Sequence, residues 1–177
     1  MMTESRETYM KRRKTTTQEY HVNNLRKLIQ DGEKLRDLPN FPEEGYYDRG
    51  DGKGWWMLTK QSAIKSYVNL YLKILQRNPY INTCFIDPLS SFGMVKLTKN
   101  GGRDVLTIPG ISLNAALVSL EKEKGFSEFY INDIDPNARR IISRRFDSLN
   151  TANDNVLSVN IEPPEKGKVD PNKWINN

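Results

Sequence analysis

The order of apolar segments between residues 55 and 161 constrains this chain most, because helix-period stretches alternate there with short strand-like runs. Ala63, Ile64, Tyr67, Val68, Tyr71, Leu72, Ile74 and Leu75 recur at three- and four-residue spacing. That spacing predicts an amphipathic helix which Thr59 can cap and Asn78-Pro79 ends. Ile81 to Asp87 (INTCFID) is too brief for a helix, is bounded by turn residues and reads as a first strand. Ser112 to Lys124 predicts a second helix, with Ser112 at its N-cap and Gly125 past its end, and Phe126 to Asp133 a second strand. Asp135-Pro136 supplies an N-cap and an N1 proline for a third helix through about Leu149, whose buried face would hold Ile141, Ile142 and Phe146. Asn155 to Ile161 is a third strand. Strands and helices in this order predict right-handed βαβ units on a parallel sheet, an α/β, Rossmann-like architecture with flanking helices. Val95 to Ile108, with Lys-Asn-Gly-Gly-Arg inside it, reads as a hairpin or mobile excursion between two short strands.

Residues 1–54 differ in character, being sparse in apolar side chains and rich in Arg, Lys, Glu, Asp and Gly. They read as a polar, basic N-terminal arm, most basic at Lys11-Arg12-Arg13-Lys14, with a short helix from Val22 to Arg36 and a loop from Pro39 to Gly54. At 177 residues the chain has the length of one domain, so 55–177 is expected to form a single, incomplete Rossmann-like unit. Cys84 is the one cysteine and His21 the one histidine, which leaves no material for an internal disulfide, a cysteine-cluster zinc site or a Ser/His/Asp triad. No metal site is therefore expected, and Cys84, inside an apolar strand, reads as a buried, inert thiol. No run approaches the ~18 apolar residues of a membrane helix, and the first residues lack the apolar stretch of a secretory signal. These features fit a reducing, cytoplasmic compartment without membrane contact. The net charge of +5 permits contact with nucleic acid without demanding it.

In an open α/β sheet, ligands bind beyond the carboxyl ends of the strands, and two of the predicted strands end on acids. Asp87 closes the first and leads into Pro88-Leu89-Ser90-Ser91-Phe92-Gly93, while Asp133 closes the second, two residues before the Asp135 cap. A carboxylate at the end of the second strand is where a doubly wound nucleotide site holds a ribose. The loop after the first strand offers only Gly93 in place of G-x-G-x-x-G, and Asp133 lies much farther on than the ~20 residues of that fingerprint. A dinucleotide is disfavoured, and a ligand without a pyrophosphate tolerates the missing glycines better.

Three segments carry a resemblance. Ile86-Asp87-Pro88-Leu89-Ser90-Ser91-Phe92-Gly93, then Pro109-Gly110-Ile111-Ser112-Leu113-Asn114-Ala115-Ala116, then Ile131-Asn132-Asp133-Ile134-Asp135-Pro136 resemble, in order, motifs of the three-Cys-motif partner proteins. Those proteins are similar to class I S-adenosylmethionine-dependent methyltransferases. Trp56-Met57-Leu58-Thr59-Lys60 and the following helix look like that family's lead-in, so the likeness spans about Trp55 to Ile161. It implies that Asp87 and the loop Ser90, Ser91 and Gly93 face the methionine portion of S-adenosylmethionine, and that Asp133 accepts hydrogen bonds from the ribose. Where the family has Ala-Gly-Pro-Gly this chain has Ser90-Ser91-Phe92-Gly93, which puts bulkier side chains where a cofactor needs close backbone approach, and Phe92 is a candidate to fill the pocket. The family continues through a fourth strand bearing catalytic residues, so this chain resembles a truncated or degenerate methyltransferase-like domain. No catalytic residue can be named, and an intact enzyme is not expected from these residues alone.

The competing reading is a non-catalytic interaction module that binds a partner protein or nucleic acid through its basic arm and third helix. On that helix Arg139, Arg140, Arg144 and Arg145 read as a solvated face. The two readings part at the cleft. The first expects Asp87 and Asp133 to share a cleft with open space above Gly93, and the second expects Phe92 or residues 94–110 to occupy it. If the chain is a shortened or decayed relative and not the N-terminal part of a longer protein, its open sheet edge calls for a protein partner to cover it.

Overall fold

A computed structural model describes residues 17–51, 54, 56–78, 80–99, 102 and 104–163. The basic run at 11–14, Trp55 and the Asp170-Pro171 segment lie outside the described residues. The elements in chain order are α1 (Thr17–Arg36), β1 (Tyr47–Asp51), α2 (Trp56–Leu75), β2 (Cys84–Asp87), β3 (Met94–Lys99), β4 (Asp104–Pro109), α3 (Ile111–Leu120), β5 (Glu128–Ile131), α4 (Pro136–Thr151) and β6 (Val159–Ile161). This is a mixed α/β structure with two three-stranded sheets.

One sheet has the order β2-β5-β6, and both of its pairings are parallel. The register sets Phe85 beside Phe129 and Asp87 beside Ile131, then Phe129 beside Val159 and Ile131 beside Ile161. Side chains alternate across a strand, so Phe85, Phe129, Ile131, Val159 and Ile161 share one face. That face packs with Leu113 and Ala116 of α3 and Ile142 and Phe146 of α4 in the main core. The opposite face carries Cys84, which is exposed, Ile86, which is half-exposed, and Tyr130, which is half-buried. A parallel sheet is nearly always covered on both faces. Among the described residues, this one is covered on one.

The second sheet has the order β1-β3-β4: β3 and β4 form an antiparallel hairpin, and β1 joins β3 in parallel. The hairpin expected over 95–108 is therefore real, and it is built into a sheet. β1 lies inside the stretch read as loop, because its pairing is made by backbone groups of a polar, glycine-containing segment with no apolar alternation to announce it. A smaller core of Leu28, Met57, Val95, Leu97 and Ile108 fills the space between this sheet, α1 and α2. Gly32 of α1 is needed there, since a Cβ would come within 2.1 Å of the Thr107 carbonyl oxygen. Asp31 of α1 and Lys65 of α2 form a buried ion pair between the same two helices.

The Asp135 cap is present: its side chain accepts from the Asn137 amide at 2.9 Å, and Pro136 opens α4. Ser112 does not cap α3. That place belongs to Gly110, and the Ser112 hydroxyl is free to donate elsewhere. Cys84 corrects the expectation of a buried thiol, because β2 is an edge strand and Cys84 sits on its uncovered face.

Candidate functional site

The carboxyl end of β2 opens on a cleft of about 260 Å³. Its floor is Asp87 with Leu89, Ser90, Ser91 and Gly93 of the loop that follows, and its far wall is Met94, Val95, Gly110 and Ile111. The first two turns of α2 contribute Trp56, Met57, Lys60 and Gln61, positions that share a helix face by their spacing. Tyr47 of β1 completes the lining.

Four of the five residues singled out from sequence, Asp87, Ser90, Ser91 and Gly93, meet at this cleft. Asp133 does not line it. One carboxylate oxygen of Asp133 accepts from the Ser91 amide at 2.7 Å and the other from the Asp135 amide at 2.9 Å. Charge-assisted bonds of this kind are the stronger class, so Asp133 ties the loop after β2 to the loop after β5. The side chain is buried, although each oxygen keeps a further lone pair.

Asp87 has different surroundings. One of its oxygens accepts from the Leu89 amide at 3.2 Å and the other from the Ser112 hydroxyl. Burial pushes its carboxyl above the ordinary value, while those two bonds and the positive charge of Lys60 pull the other way. The Lys60 ammonium lies over the Trp56 ring at 5.5 Å. Next to it, Gln61 is buried and its side-chain oxygen has no hydrogen-bond partner among the described residues. An orphaned buried acceptor in the wall of a cleft calls for a donor from water or ligand.

The loop after β2 is built to hold this shape. The Ser90 hydroxyl and amide both donate to the Asn132 carbonyl, at 2.8 and 2.9 Å. Ser91 adopts a left-handed φ of 52° and presents its amide to Asp133. Gly93 has a φ of 76°, and a Cβ there would come within 3.0 Å of Ile142. Its carbonyl accepts from the Gly110 amide at 2.7 Å, so two glycine backbones pack where the loop meets α3. Ser90 thus turns its side chain inward, and Ser91 takes up a strained left-handed backbone. Phe92 lies beside Gly45 and Ile141 and outside the cleft.

The arginines of α4 correct the expected solvated face. Arg140 and Arg144 are exposed beside Glu44, at 3.5 and 3.7 Å, but Arg139 and Arg145 are fully buried. Arg145 donates to the carbonyls of Pro42, Glu44, Gly45 and Phe92 at 2.5 to 3.0 Å, with its guanidinium near the Tyr46 and Phe41 rings. Burial pulls its pKa down to about 10, against the raising effect of Tyr46. Arg139 donates to the Asp133 carbonyl at 2.5 Å and to the Glu162 carbonyl at 3.1 Å. One helix therefore holds the loops after both strands. The signal was in the sequence: Arg139 and Arg145 are each three residues from Ile142, on the apolar side of the helical wheel.

Sequence reasoning missed Gln61 and Tyr47 as lining residues and saw Lys60 only as part of a motif. A polar pair opening an amphipathic helix was the available signal for Lys60 and Gln61. Tyr47 had none. Among the described residues no three histidine, cysteine or carboxylate side chains gather as a metal site requires, and no helix is long and apolar enough to cross a membrane. Comparison with protein-family models, with curated proteins and with solved structures finds no match to this chain.

Proposed function

We propose that the chain is a methyltransferase-like, Rossmann-like domain that binds S-adenosylmethionine, with the amino-acid end of the cofactor in the cleft at the end of β2. The observation that carries this reading is that Asp87, Lys60 and Gln61 line one cleft, the Gln61 side-chain oxygen being buried without a partner among the described residues. Two acceptors suit an ammonium group, and a lysine suits a carboxylate, so the cleft matches an α-amino acid zwitterion. Its 260 Å³ is below the ~300–1,000 Å³ of pockets for drug-sized ligands. It has room for the amino-acid end, and the nucleoside would extend over the end of β5. Asp133 would meet the ribose only through lone pairs its two backbone bonds leave over.

Among the described residues one face of the β2-β5-β6 sheet and the outer edge of β2 are left uncovered, surfaces that a partner or another segment could cover. The interaction reading through the third helix has less support, since two of its four arginines are buried.

Calorimetric titration of S-adenosylmethionine into the folded chain tests the proposal. The expected result is micromolar binding that weakens at least tenfold in Asp87→Asn. No heat from a folded protein, or equal binding by the variant, would sink it.

A further inference from the structure

Helix α2 has two apolar faces, and the described residues cover only one. Val68, Leu72 and Leu75 are buried, as is the Lys65 partner of Asp31. On the outside, Ala63, Tyr67, Leu70 and Ile74 follow one another at spacings of four, three and four residues, all exposed. Tyr67 is 69% exposed, Leu70 58% and Ile74 55%. That spacing is the seam of a two-helix coiled coil, where alternate steps of three and four residues keep one narrow stripe against a neighbouring helix. Tyr71 stacks on Tyr67 with ring centroids 6.4 Å apart and on Phe126 at 6.1 Å, which fixes the stripe to the body of the protein. Tyr20 of α1 reaches the same side and donates to the Ser66 hydroxyl.

The charge around the stripe selects the occupant. α2 contains Lys60, Lys65 and Lys73 and no acidic residue, and among the described residues the exposed cations beside the seam are Lys73 and, just past the end of the helix, Arg77. We propose that this face docks an acidic amphipathic helix of a partner protein, whose apolar stripe covers Tyr67, Leu70 and Ile74 and whose flanking carboxylates meet Lys73 and Arg77. A second copy of the chain would bring the same cations and no carboxylate from its own α2, so charge favours a different partner. A lipid surface suits a broad apolar face ringed by many cations, and this stripe is one seam wide. Tyrosine and arginine beside aliphatic anchors are also the residues on which interface energy concentrates.

The test is fluorescence anisotropy with a labelled three-heptad peptide bearing Leu at the seam positions and Glu at the flanking ones. A companion peptide carries Lys in place of Glu. The Glu peptide is expected to bind saturably and the Lys peptide at least tenfold more weakly. Leu70→Ser with Ile74→Ser should cost the Glu peptide at least tenfold, and Lys73→Glu should narrow the gap between the peptides. Both sites are exposed, so folding checked by circular dichroism should be unchanged. Equal binding of both peptides, or no binding by a folded protein, would overturn the proposal. So would self-association abolished by the Leu70 and Ile74 changes, or adsorption to phosphatidylserine vesicles without peptide binding.

Discussion

Neighbouring strands β2 and β5 both lead to an aspartate at the carboxyl end, and the two carboxylates differ in what surrounds them. Asp133 spends both oxygens on backbone amides of two loops, whereas Asp87 opens on a cleft beside Lys60 and Gln61. The same residue type at equivalent strand ends thus ties two loops together in one place and lines a cleft in the other. The difference comes from the chain beyond each strand. The turn after β5 runs straight into the capped start of α4, which brings the Asp135 amide onto Asp133. The loop after β2 swings out into the β3–β4 hairpin and leaves Asp87 room.

Breaking the architecture should cost the most. Arg145→Met would strand four carbonyls that now share one guanidinium, and an unpaired buried group costs about 1–3 kcal/mol. We expect a loss on the order of 4 kcal/mol, read by urea denaturation. Asp133→Ala leaves the Ser91 and Asp135 amides without their acceptor and should cost about 3 kcal/mol. Gly93→Ala should cost about 1–3 kcal/mol, because φ is positive and Ile142 stands in the way of the methyl group.

Asp87 should respond the other way. Asp87→Asn removes a charge that burial disfavours, so stability should stay within about 0.5 kcal/mol while the S-adenosylmethionine binding proposed above weakens at least tenfold. Its carboxyl titrates above 3.8 in the fold, so the folded state holds that proton more tightly than the unfolded chain does. The Asp87 contribution is therefore greatest at acid pH and declines as pH rises from 3.8 through the folded value. The stability of the parent chain relative to Asp87→Asn should fall across that window, and a flat or rising difference would contradict the burial of Asp87. At Ser91, glycine would relieve a left-handed φ and add up to about 1 kcal/mol.

Much of this arrangement was legible beforehand. The strand at Cys84–Asp87, the Asp135 cap and the hairpin each carried a local signal, since periodicity and turn residues act within a few positions. Asp87 at the cleft followed from a general rule about strand ends, and Ser90, Ser91 and Gly93 from the resemblance of the loop that follows. What escaped were features set by distant partners. β1 exists because β3 offers it hydrogen bonds, and Asp133 is closed to the cleft because Ser91 reaches back across 42 residues. The roles of Arg139 and Arg145 depend on carbonyls from other elements, and the exposure of Cys84 on β2 being an edge.

Thermal unfolding of Asp133→Asn and Asp87→Asn side by side at neutral pH tests most directly whether the two strand ends have divided these roles. Asn at 133 turns an amide donor toward a backbone N–H, and the expected loss of about 2 kcal/mol corresponds to a drop of roughly 4–8 °C for a domain of this size. Asp87→Asn should unfold within about 2 °C of the parent chain. Equal drops, or a larger one at Asp87, would contradict the division.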